Sequence, residues 1–154
     1  IQEKEAVFVP ETVTEEPAEE FIMPVVGAII NEFSGKEPAY SKTLKEYRVH
    51  KGVDIKAKML DKVFSCKKGV VESVTKDGLM GITITISHSD GFQSVYSNLS
   101  TDELVKPGQS VRQGEIISGI GDTALAETGE EAHLHFELIK DGVNVNPMDY
   151  FSLE

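Results

Sequence analysis

Residues 81–88 read Gly81-Ile82-Thr83-Ile84-Thr85-Ile86-Ser87-His88. Isoleucine and threonine are stiff at χ1 and pack well on a pleated surface, so this stretch predicts a β-strand. Turn signals bracket it, Lys76-Asp77-Gly78 before and Ser89-Asp90-Gly91 after. Working outward, Val70-Val71-Glu72-Ser73-Val74 and Val63-Phe64-Ser65-Cys66 precede it, separated by Lys67-Lys68-Gly69. Gln93-Ser94-Val95-Tyr96 follows, then Gly114-Glu115-Ile116-Ile117-Ser118-Gly119 and Ala132-His133-Leu134-His135-Phe136-Glu137-Leu138. Short strands at close spacing with turn chemistry between them predict an all-β sandwich or barrel. Helical candidates are few and short: Ser41–Arg48, Asp102–Val105 and Asp122–Glu131.

The 154 residues suit one domain, with or without a tail, and 40% hydrophobic content supplies one core. A formal net charge of −11 argues against a nucleic-acid binder and against electrostatic docking on anionic lipid. Much of that charge sits in residues 1–20, which hold seven Glu and one Lys with few large apolar groups. Such a composition cannot bury enough surface to offset its ordering entropy, so this segment reads as an acidic flexible linker. Its apolar patch Ala6-Val7-Phe8-Val9 could be an edge strand or a docking peptide. The domain is expected over residues 21–152, with Leu153-Glu154 read as a foreign remnant. The lone Cys66 excludes an intrachain disulfide and reads as a small buried hydrophobe. No apolar run reaches 18 residues. The chain begins at Ile1 rather than Met, so an N-terminal signal or anchor is expected to lie outside it.

Four histidines carry the chemistry. His133 and His135 stand two apart in an alternating strand and so leave one face, while Leu134 and Phe136 turn to the other. Two imidazoles on one face need partners if they are buried, and a metal is one; solvent or ordinary hydrogen bonds are the bland alternative. His50-Lys51-Gly52-Val53-Asp54 places an imidazole and a carboxylate four apart, again one face if the segment is a strand. Both groups are common zinc ligands. Neither motif is specific alone; the combination is.

Together these residues resemble LytM/lysostaphin-type zinc endopeptidases, which cut peptidoglycan peptides. Phe21-Ile22-Met23-Pro24-Val25-Val26-Gly27, the stretch Val105-Lys106-Pro107-Gly108-Gln109-Ser110-Val111-Arg112-Gln113-Gly114-Glu115-Ile116-Ile117, and Val145-Asn146-Pro147 are similar to the family's entry, middle and closing segments. The resemblance implies a mostly antiparallel, two-sheet fold of the duplicated-hybrid-motif kind with the site in a groove. It implies Zn2+ held by His50, Asp54 and His135, with His133 as a catalytic group beside it. Three protein ligands leave a position for water, whose pKa zinc lowers to roughly 7.

One position departs from the pattern. Active members carry histidine in a Tyr-x-His-Leu segment, and this chain reads Tyr96-Ser97-Asn98-Leu99. Asparagine cannot shuttle a proton, and losing a positioned acid–base group costs roughly 10²–10⁴ in rate. His88 matches a structural position. A domain that keeps the ligands but lacks this histidine, behind an acidic linker, is similar to the sporulation branch of the family, clostridial type. That resemblance implies a membrane-anchored, extracytoplasmic protein facing the space between forespore and mother cell. It implies stage III sporulation protein AH or a similar partner in an intercellular channel, with little or no peptidase activity. An active peptidoglycan endopeptidase is the alternative, and an activator of another wall hydrolase is a third.

Overall fold

The computed structural model describes residues 20–35, 39–41, 46–48, 50–123 and 131–151. The expectations for residues 1–19 and for Leu153-Glu154 lie outside the described residues, as do residues 124–130 of the third helical candidate.

Among the described residues twelve strands follow one another: β1 (Ile29–Asn31), β2 (Ala39–Ser41), β3 (Glu46–Arg48), β4 (Val53–Lys56), β5 (Lys62–Phe64), β6 (Gly69–Asp77), β7 (Gly81–Ser87), β8 (Phe92–Leu99), β9 (Ser110–Val111), β10 (Ile116–Gly119), β11 (His133–Lys140) and β12 (Val143–Val145). All pairings between them are antiparallel. The main sheet runs β1-β4-β11-β8-β7-β6-β9, with β12 on β11, while β5 pairs β10 and β2 pairs β3. The mostly β, antiparallel expectation holds. Among the described residues helix is confined to single 3-10 turns at Ser89–Gly91 and Pro147–Asp149. The expected helix over 41–48 is absent where it is described: Ser41 and Glu46 face each other as arms of a ladder. An eight-residue helix is marginal by itself, and cross-strand pairing prevails. Residues 102–105 are irregular.

The core lies on one face of the main sheet. Val53 and Ile55, Leu134, Phe136 and Leu138, Tyr96, and Ile84 and Ile86 are fully buried there. The register explains why they share a face: Phe136 stands opposite Val53 on one side and Tyr96 on the other, and Tyr96 opposite Ile84. Val63 and Ile117, from the β5–β10 ladder, join the same cluster, with Phe21, Cys66 and Phe151. Because side chains alternate along a strand, this registration drives Asp54, His133 and His135 together onto the opposite face.

Candidate metal centre

Strand pairing sets the first contact. His135 of β11 lies directly opposite Asp54 of β4, and Asp54 opposite Asn31 of β1. The side chains meet accordingly, with His135 Nδ1 at 2.9 Å from Asp54 Oδ1 and Asn31 Nδ2 donating to Asp54 Oδ2 at 2.9 Å. Ser97 of β8 faces His135 on the other flank, and its hydroxyl lies 3.1 Å from that of Thr83, so the polar row continues across the sheet.

His50 arrives by another route. The sequence pattern suggests one strand carrying both His50 and Asp54, but β4 begins only at Val53. His50 lies in the approach to that strand, held by its backbone. Its N–H donates to Ser34 Oγ at 2.6 Å, and its carbonyl accepts from Ser34 N at 3.0 Å. Gly52 lets this approach run against β11, because a Cβ there would collide with the Phe136 carbonyl oxygen. His50 Nδ1 lies 3.0 Å from the Glu32 carbonyl oxygen, which can only accept, so Nδ1 carries the proton. That leaves Nε2 with its lone pair, buried and without a hydrogen-bond partner, 3.5 Å from Asp54 Oδ2.

The result is a cluster of one atom each from His50, Asp54 and His135, all within 4.8 Å of one another. An orphaned imidazole nitrogen aimed at a buried carboxylate is what a bound cation would satisfy, and the two-nitrogen, one-oxygen donor set suits zinc. His133, 1% exposed, stands beside the cluster rather than in it: its Nε2 is 4.0 Å from Asp54 Oδ1, and its Nδ1 donates to the Glu131 carbonyl at 2.6 Å. The four residues singled out in the two motifs therefore share one pocket.

Charge in this pocket is tightly paired. Burial favours the neutral form of His135, but hydrogen bonds to Asp54 and Glu137 outweigh it and lift the imidazole to about 10. Burial likewise opposes ionisation of Asp54, yet the hydrogen bond from His135 and the neighbouring His50 ring hold its carboxyl well below the usual range. His50 is raised against the pull of burial by its neighbour Asp54. The two carboxylates that bracket His135 thus favour positive charge between them.

Asn98 stands where the resemblance implies a histidine. It sits in a β-bulge, where Thr83 of β7 faces both Ser97 and Asn98, and it adopts a left-handed φ of 67°. Asparagine tolerates that conformation better than most residues. Its amide Nδ2 donates to the His133 carbonyl at 3.0 Å. The side chain therefore ties the β8 bulge to the start of β11 and offers no acid–base group to the cluster.

Three contributors escaped the motif reading. Glu137 lies two residues past His135 on the same face, and extending the alternation by one step would have found it. Asn31 and Asn144 could not be found so: their roles depend on the β1–β4 and β11–β12 pairings. His88 belongs elsewhere, in a half-buried network with the Lys68 carbonyl at 2.8 Å and Ser94 Oγ at 2.7 Å.

Residues 48–147 match Peptidase family M23. The chain belongs to this family. Among its relatives, stage II sporulation protein Q of Bacillus subtilis is 33% identical over 118 residues, which cover 75% of this chain and 41% of that protein. The peptidoglycan DD-endopeptidase ShyC of Vibrio cholerae is 32% identical over 102 residues, 66% of this chain and 23% of that protein. Among solved structures, the SpoIIQ–SpoIIIAH pore-forming complex contains a chain that superposes with a TM-score of 0.73 at 29% identity, covering 88% of this M23 chain and 93% of that one. This chain spans less than half the length of both curated relatives.

Proposed function

We propose that this M23 domain is a zinc-holding protein-interaction module of a sporulation channel between forespore and mother cell, with little or no peptidase activity. His50 through Nε2, Asp54, and His135 through Nδ1 would hold the ion. Bound zinc would supply Lewis acidity and an activated water. The chain's own residues supply the rest: Asp54 balances the charge, His133 offers Nε2 next to the cluster, and Asn98 contributes no proton relay. The observation that carries the reading is Asn98, whose amide is committed to the His133 backbone where an active enzyme needs a titratable ring.

The similarity to stage II sporulation protein Q, and to its complex, supports a partner like stage III sporulation protein AH and an extracytoplasmic site at the forespore membrane. No described helix is long and apolar enough to cross a membrane. The anchor in this reading lies outside residues 21–152, the segment we take as the domain, with residues 1–20 as its linker. Strand addition is a suitable mode of contact. β9 pairs Gly69 and Val70 of the nine-residue β6, and Val71 exchanges hydrogen bonds with Gly108 and Gln109; among the described residues no strand pairs that edge beyond Val71, which offers it to an incoming strand.

Active endopeptidase chemistry is the second reading, favoured by the intact ligand set with His133 beside it. Incubation with purified peptidoglycan separates the two. The interaction reading expects no soluble fragments, whereas turnover that disappears in His133→Ala overturns it. Pull-down with an AH-type partner, with and without chelator, tests the positive half of the proposal.

A further inference from the structure

Glu137 and Asn144 lie outside the ligand set, yet they join its two halves. Glu137 Oε2 is 3.0 Å from His135 Nε2. Its other oxygen, Oε1, accepts from Asn144 Nδ2 at 3.0 Å. The same Nδ2 also donates to the Lys51 carbonyl at 3.0 Å. An amide nitrogen has two protons, and here both are committed. One reaches the backbone immediately after His50. The other reaches the carboxylate that holds the ring of His135. Asn144 can do this because β12 folds back on β11, pairing Asn144 with Ile139.

We propose that Glu137 and Asn144 form a positioning pair that sets the affinity and coordination of the metal centre; this rests on the zinc reading above. A bound ion would replace the Nδ1 proton of His135, and Glu137, accepting the Nε2 proton that remains, would fix the tautomer in which the Nδ1 lone pair faces the ion. Asn144 fixes Glu137 in turn. It also locks the Lys51 carbonyl, and so the approach segment of His50, to the same point. One side chain thereby relates two ligands that are 85 residues apart in the chain (His50 and His135). Aspartate could not replace Asn144: it has the same shape but no protons to give, and it would set a second carboxylate against Glu137.

The test measures zinc affinity by competition with a chromophoric chelator on the full chain, for Glu137→Gln, Asn144→Ala and Asn144→Asp. His50→Ala serves as the ligand-deletion control. We expect affinity to fall roughly 10–100-fold in each positioning variant, most in Asn144→Asp, with the control losing more. The visible spectrum of the Co2+-loaded protein should shift in Glu137→Gln. The melting temperature of the chelator-treated protein should stay close to that of the parent chain, which a merely structural role of the hairpin would not allow. If the parent binds tightly and the three variants stay within about twofold of it, the pair does not position the site. If the parent binds no better than His50→Ala, the zinc reading itself fails and this proposal falls with it.

Discussion

Asn98, which stands where the family resemblance implies a histidine, serves the fold. Its left-handed backbone and its bond to the His133 carbonyl both stabilise the junction of β8 and β11. Asn98→Ala keeps neither the amide nor the tolerance for positive φ, and it leaves a buried carbonyl without this donor. Urea unfolding should record a loss of about 1–3 kcal/mol. Cys66 offers a second residue-scale prediction. Burial pushes its thiol up to about 11, so the folded state keeps it protonated where the unfolded chain ionises it. The folded pKa is raised, so this stabilisation is fully present below the unfolded value near 9.0 and is lost as pH rises through 11. The advantage of the wild type over Cys66→Ala, followed by urea midpoints, should shrink by roughly 2–3 kcal/mol across that window. The thiol should also resist alkylation at neutral pH while the protein is folded.

At the scale of elements, the β4–β11 pairing joins core to site. Leu134 and Phe136 face the core while His133 and His135 face the pocket, an alternation already plain in the string His133-Leu134-His135-Phe136. Which strand would lie opposite was not plain, because pairing partners some 80 residues apart leave no periodic trace. Gly52, immediately before β4, runs against the Phe136 carbonyl of β11. Gly52→Ala would force the approach segment away from the Phe136 carbonyl, and overpacking of this kind costs about 1–3 kcal/mol. The same shift moves His50 relative to Asp54, so zinc affinity should fall along with thermal stability. Unchanged affinity in a measurably destabilised Gly52→Ala protein would show that the close approach serves folding alone.

For the molecule as a whole, a metal at this site links the segment before β4 to β11 and so adds stability to the folded state by mass action. At free zinc about 100 times the dissociation constant the gain is about 2.7 kcal/mol. Chelation should therefore lower the melting temperature of wild type. His50→Ala should melt near the chelated wild type and respond little to chelator. A wild-type transition that does not move on chelation would count against a stabilising metal here.

The alternation of β-branched residues with turn signals was enough to indicate a β protein, and the two histidine motifs named four side chains that the fold brings together. Both properties are local: alternation assigns faces, and residue chemistry assigns donors. Tertiary structure decided the rest. It placed His50 on an approach segment rather than a strand and enlisted Asn31, Glu137 and Asn144. It also turned the Asn98 amide toward the backbone. Those outcomes depend on cross-strand register and on hydrogen bonds between residues far apart in the chain, which no single segment encodes.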